Sequence, residues 1–170
     1  MKSIIAKTRG LFIGFIIVLI LYITQVCASA TQKEDFDCGM DLIRQGATAY
    51  DKTLVERGVV QLKKAANAGH AEAAYGLHYV YGGYLGQVFP KDEDKQCFWV
   101  EKAAKMKFVE AYFGAASCAM RGYDENDPAI LEKRAVPWLR KIAAEGKKED
   151  AEKAKTMLKD FELAIRAAQR

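Results

Sequence analysis

The feature that most constrains this chain is a segment it carries three times. Gln61-Leu62-Lys63-Lys64-Ala65-Ala66 aligns without gaps with Trp99-Val100-Glu101-Lys102-Ala103-Ala104, and both align with Trp138-Leu139-Arg140-Lys141-Ile142-Ala143. The offsets are 38 and then 39 residues. Downstream, Gly69 and Gly146 follow their helices, with Lys107 in the middle copy. Glu72, Glu110 and Glu149 are equivalent; Ala73 pairs with Ala111, Tyr75 with Phe113 and Gly76 with Gly114. A period in this range with alanine at matched positions means stacked helix pairs, because each pair leaves an apolar face that only a neighbouring pair can cover. Alanine favours helix and lets helices approach closely, and the chain has only 3 prolines to interrupt them.

Each copy reads as helix A, a loop, helix B and a tight turn. Ala73, Leu77 and Tyr81 recur at the spacing of a buried helical stripe, and Gly82-Gly83-Tyr84-Leu85-Gly86 ends that helix. Asp92 caps the next helix, with Glu93 and Asp94 in its first turn, and that helix runs through Trp99 to about Met106. The third helix A covers about Val109 to Arg121, ended by Gly122. Asp127-Pro128 is a cap and first-turn pair, and Pro137 predicts a break near Lys133–Pro137. A last amphipathic helix over about 148–168 closes the stack, with Met157, Phe161, Leu163, Ala164 and Ile165 as its inner face.

The first thirty residues differ from the rest. Lys2, Lys7 and Arg9 precede a 13-residue apolar run, Leu11–Ile23, and Ala28-Ser29-Ala30 comes after it. This is the three-part layout of a secretory signal peptide, with the cut expected after Ala30. An uncleaved anchor is the alternative, since Leu11–Ala30 is long enough to span a bilayer. Val26 before Cys27 speaks against a lipidation signal. The expected compartment is the bacterial periplasm, and membrane contact is expected only through this segment if it is retained. Without Lys2, Lys7 and Arg9 the 26 bases fall to 23, against 22 acids. So balanced a body argues against nucleic acid as a partner, which would require a clustered basic excess.

The repeated residues resemble the Sel-like repeats, α/α repeats related to tetratricopeptide repeats. The second copy carries Ala71-Glu72-Ala73, Tyr75, Leu77, Tyr81, Gly86, Val88, Pro90-Lys91-Asp92 and Trp99-Val100-Glu101-Lys102-Ala103-Ala104. The third carries Glu110-Ala111, Phe113, Gly122 and Trp138-Leu139-Arg140-Lys141. The first keeps Lys64-Ala65-Ala66, Gly69 and His70, while its helix A around Phe36–Arg44 matches poorly. The resemblance implies an all-α fold: an α/α solenoid of about three helix-pair repeats (about 36–70, 71–108 and 109–147) with a closing helix. It also implies a non-catalytic scaffold or adaptor for a protein partner. Exported members of the family include immunity proteins that block toxins, notably lipases delivered by type VI secretion; an envelope or polysaccharide-export scaffold is the other role implied. Some cysteine-rich relatives have been proposed to act on β-lactams, a reaction for which this chain lacks a nucleophile–base pair.

Cys38, Cys97 and Cys118 lie beyond the expected cut. The turn between the second helix B and the third helix A centres near Lys107, with Cys97 10 residues before it and Cys118 11 after. Positions equidistant from the turn of an antiparallel hairpin face each other, so a Cys97–Cys118 bridge is expected, with Cys38 as a leftover thiol. Such a bridge contributes about 3 kcal/mol in the chain-entropy account.

No residue pattern points to catalysis, cofactor or metal. His70 and His78 have no Cys or acid at zinc spacing, and the Gly82–Gly86 cluster lacks the frame of a phosphate loop. Asp92, Glu93 and Asp94 belong to a solvated helix start more naturally than to calcium. Trp99 and Trp138 recur at an interior position and read as packing residues. What remains is a surface. Tyr79 and Tyr112 are candidate contacts in the groove, Tyr75 and Phe113 are read as core, and the loop from Tyr84 through Leu85 and Val88 to Phe89 is the other candidate. His78 stands where the family usually has Gly, either tolerated at the core's edge or turned toward the groove.

Overall fold

Seven helices account for the architecture of a computed structural model that describes residues 31–124 and 127–168. They are α1 (Gln32–Ala49), α2 (Lys52–Asn67), α3 (Ala71–Tyr81), α4 (Glu93–Lys105), α5 (Tyr112–Met120), α6 (Val136–Glu145) and α7 (Lys148–Ala168). No strand occurs among the described residues. The export-signal reading of residues 1–30 falls outside them. Each helix packs chiefly against its neighbours in the chain.

Small residues set how closely the helices meet. A Cβ on Gly58 would lie 2.6 Å from Ile43 and 2.7 Å from the Gly39 carbonyl, and one on Gly46 would lie 2.7 Å from Val55. The α1–α2 crossing therefore excludes any larger side chain at these three positions. Gly114 does the same between α5 and α4, where a Cβ would sit 2.7 Å from Val100. Ala65, Ala66, Ala103 and Ala104, the repeated pairs, are all fully buried. Around them Val55, Leu62, Leu77, Val100, Leu139 and Ile142 form one continuous core.

Most expected boundaries recur. Ala73, Leu77 and Tyr81 are buried in one stripe. Asp92 caps α4 by accepting from the Lys95 N–H at 3.0 Å. Asp127 accepts from Ala129 N–H at 2.9 Å and starts a short turn, Pro128–Ile130. A π-helical turn, Leu131–Ala135, then precedes α6. Pro137 lies in the first turn of α6 and has no N–H to donate back into that turn, which accounts for the break. The first helix, whose residues around Phe36–Arg44 match the repeat poorly, is 18 residues long. A reciprocal capping box starts it: Thr31 accepts from Glu34 N–H, and the Glu34 carboxylate accepts from Thr31 N–H at 3.1 Å. In α7 the buried face is Ala151 and Ala154, with Met157, Leu158, Phe161 and Ile165 partly covered. Leu163 and Ala164 face solvent, because they fall off the stripe that Ala154, Met157, Leu158, Phe161 and Ile165 form at spacings of three and four.

The repeat recurs in side-chain chemistry. Lys102 Nζ lies 5.0 Å from the Trp99 ring centroid and Lys141 Nζ lies 4.6 Å from that of Trp138, the same Trp-x-x-Lys cation–π pair twice. Trp99 is buried and Trp138 half-buried. Lys64, at the matched position of the first copy, instead donates to the buried Asp35 at 2.9 Å. The turns also correspond. Gly69 has φ +105° and Lys107, its counterpart, has φ +65°. Gly146 has φ −69° and does not share this conformation.

Cys97 and Cys118 stand at disulfide distance, with sulfurs 2.04 Å and Cα atoms 5.4 Å apart, across the α4–α5 hairpin. Cys38 is disulfide-bonded as well, which corrects the expectation of a leftover thiol.

A lysine held in the left-handed region is strained where glycine is not. Lys107→Gly is expected to stabilise the protein by up to about 1 kcal/mol, and Gly69→Ala to destabilise it by about as much or more. Urea unfolding of the two variants checks the pair; equal midpoints would show that the turns carry no strain.

Candidate functional site: an aromatic strip and a cleft joined at His78

Residues 72, 75 and 79 lie at spacings of three and four and so share one face of α3. That face carries Glu72, Tyr75 and Tyr79. Gly82 and Gly83 then reverse the chain, Gly83 with φ +87°. The Asp92 N–H donates to the Tyr81 carbonyl at 2.9 Å and closes the loop against the end of α3. The reversal brings Tyr84 back against Tyr79, with ring centroids 5.1 Å apart at 62°. Tyr75 meets Tyr79 edge-on at 5.0 Å, and their hydroxyls share a hydrogen bond of 2.9 Å. Phe108 completes the row, 5.0 Å from Tyr75, delivered by the left-handed turn at Lys107. The result is an aromatic strip, Phe108–Tyr75–Tyr79–Tyr84, running along α3 and onto its loop. Burial, and then the bond to Tyr79, push the Tyr75 phenol well above its ordinary value, so it stays protonated.

His78 sits beside the strip. Its ring stacks on Tyr75 at 5.7 Å and meets Tyr79 edge-on at 5.2 Å. Nδ1 donates to the Gln96 carbonyl at 3.4 Å, linking α3 to α4. The same imidazole forms one wall of a cleft of about 710 Å³. Phe113, Gly114 and Ser117 of α5, the Cys97–Cys118 pair, and Met157 and Phe161 of α7 also line it. Arg121 stands at the cleft and is committed to acids, 2.5 Å from Asp94 and 3.9 Å from Glu93. Asp92 and Glu93 are in turn held by Lys95 and Lys91, which lower both carboxyls below their ordinary values. Among the described residues no group of three or more His, Cys, Asp or Glu side chains is gathered as a metal site.

The remaining expected contact residues divide by exposure. Tyr79 and Tyr84 present rings to solvent, 41% and 71% exposed. Leu85 is half-buried against the core. Tyr112 is not a surface residue: it opens α5 with its ring packed 6.0 Å from Trp138 and its hydroxyl donating to Glu145 Oε2 at 2.6 Å. Burial and then that bond push its phenol up to about 12. Phe89 also points inward, 5.5 Å from Tyr81, because the loop folds back beneath the end of α3. Tyr75, read as core, is only half-buried and belongs to the strip. Tyr50, absent from the expected contacts, is 83% exposed and shares a shallow hollow with Tyr84 and Leu85. It ends α1 at φ +55°, a conformation in which sequence patterns lead one to expect Gly or Asn.

No family model, curated protein or solved structure matches the chain. No helix among the described residues is long and apolar enough to cross a membrane.

Burial holds the His78 imidazole below its ordinary value of 6.5, only partly offset by the Gln96 bond. The unfolded chain therefore binds a proton at a pH where the folded one does not. Stability from this site is full above about pH 6.5 and is lost as pH falls from there toward the depressed folded value. Urea unfolding across pH 7 to 5, relative to His78→Gln, should show the wild type losing the more stability; parallel profiles would remove His78 from the account.

Proposed function

We propose that this is an exported Sel-like repeat protein, a short α/α solenoid closed by α7, that binds a protein partner and catalyses nothing itself. The observation that carries the binding role is the aromatic strip. Tyr79 and Tyr84 hold large, rigid, amphipathic rings in solvent on a helical scaffold, the composition favoured at the centres of protein interfaces. The recurrent Trp-x-x-Lys pairs, and the matching left-handed turns at Gly69 and Lys107, support the repeat reading. The Cys97–Cys118 pair supports an oxidising compartment, and with the layout of residues 1–30 the periplasm.

Photo-cross-linking in the cell envelope tests the surface. A photoreactive residue at Tyr84 should yield a discrete adduct, whereas one at Phe98, 57% exposed on α4, should not. Combining Tyr79→Ala with Tyr84→Ala should weaken the captured complex by about ten-fold or more. Equal adducts at both positions, or none, would overturn the assignment. The captured protein separates the two narrower roles: a toxin makes this chain its immunity protein, and an envelope assembly component makes it a scaffold.

A further inference from the structure

The two halves of α5 are held in different ways. The first is fixed by packing. Tyr112, Ala115 and Ala116 are buried, the Tyr112 hydroxyl donates to Glu145, and Gly114 fits against Val100 with no room for a Cβ. From Ser117 on, no residue of α5 is buried. Ser117, Cys118, Met120 and Arg121 instead line the cleft of about 710 Å³, so on that side the last turn of the helix meets open space. A helix of 9 residues has little stability of its own, and α5 has no side-chain cap at its start.

The polar ties to this second half are weak. Arg121 pairs with Asp94 and Glu93, but all three side chains are exposed, and such ion pairs contribute little. The Ala119 carbonyl accepts from Arg134 at 3.4 Å, which is long for a hydrogen bond. The strong tie is covalent: the Cys97–Cys118 bond fastens the last turn of α5 to α4. That bond is itself part of the cleft wall. Both cysteines are only half-buried, and both line the cleft. A disulfide open to solvent is within reach of a thiolate while the protein stays folded, and exposed bonds are the labile, regulatory ones.

We infer that the Cys97–Cys118 bond is a redox latch on the cleft. Closed, it fixes the second half of α5 and with it one wall of the cleft. Opened by a dithiol, it frees that half while the rest of the fold stands, because Val55, Leu62, Leu77, Leu139 and Ile142 are fully buried on other helices. In the opening step a thiolate of the dithiol attacks one protein sulfur and forms a mixed disulfide. The other protein sulfur leaves as a thiolate and takes a proton. The second thiol of the reagent loses its proton, attacks its partner sulfur in the mixed disulfide and releases the remaining cysteine, which is protonated in turn. Two electrons and two protons pass to the cysteine pair, and the reagent becomes a cyclic disulfide. The reverse exchange closes the latch. The latch does not depend on the binding role proposed above.

The test treats the native protein with dithiothreitol, quenches with iodoacetamide and maps the labelled peptides by mass spectrometry, which separates Cys97 and Cys118 from the bonded Cys38. Cys97 and Cys118 should be labelled while helix content by circular dichroism is retained. Their rate of labelling should stay constant as urea is raised to just below the unfolding transition. Amide hydrogen exchange should then be about ten-fold or more faster at 117–121 in the opened protein than in the closed one, and unchanged at 73–81. Combining Cys97→Ser with Cys118→Ser, which adds no alkyl group, should reproduce that pattern. Labelling only together with loss of helix content, a rate that climbs with urea, or protection of 117–121 that survives in either opened form would overturn the latch and leave the bond a structural staple.

Discussion

Close approach between helices is the condition on which the rest of this structure depends. Where Gly58 meets Ile43 and the Gly39 carbonyl, and where Gly114 meets Val100, no Cβ fits. The fully buried alanine pairs of α2 and α4 extend the same contact through the stack. Short helices have little stability of their own, and α3 and α5 are only 11 and 9 residues long. They persist because small residues bring many dispersion contacts within range at once. A methyl group added at one of these glycines would push two helices apart along their length rather than open a local defect.

That packing settles which side chains can serve as a surface. With the inner face of α3 committed to Ala73, Leu77 and Tyr81, the positions at 72, 75 and 79 are turned outward together. The glycine reversal after α3 adds Tyr84 to the row, and the Lys107 turn adds Phe108. His78 lies at the boundary of the two faces, so it touches the strip, the cleft and the backbone of α4. The turns that end the helices are thus also what assemble the aromatic row.

Much of this is legible in the residues. The period locates the repeated helices, capping chemistry the start at Asp92 and amphipathic spacing the closing helix, and counting from the turn pairs Cys97 with Cys118. Each depends on local chemistry or on distance along the chain, which a sequence displays. What is not legible depends on rotation about helix axes. Tyr112 is buried against Glu145 and Tyr79 is exposed because they hold different angular positions: at the 38-residue offset Tyr112 matches buried Ala74 and Tyr79 matches exposed Ser117. Phe89 escapes the sequence for a related reason: a loop's direction of return leaves no periodic trace. The length of α1 is recoverable from Thr31 and Glu34, but the weak match of the first copy draws the boundary inward.

The π-helical turn at Leu131–Ala135 bears on the spacing of the repeats. A π turn holds one residue more than an α turn, and it falls within the interval between Gly114 and Trp138, where the offset grows from 38 to 39. Beyond this widened turn Leu139 and Ile142 are buried in the core and Trp138 packs against it. A widened turn of this kind lets a helix change its register by one residue without a break in its path. Here it turns Leu131 and Ala135 into the core immediately before Pro137, so the segment that proline would otherwise break stays packed.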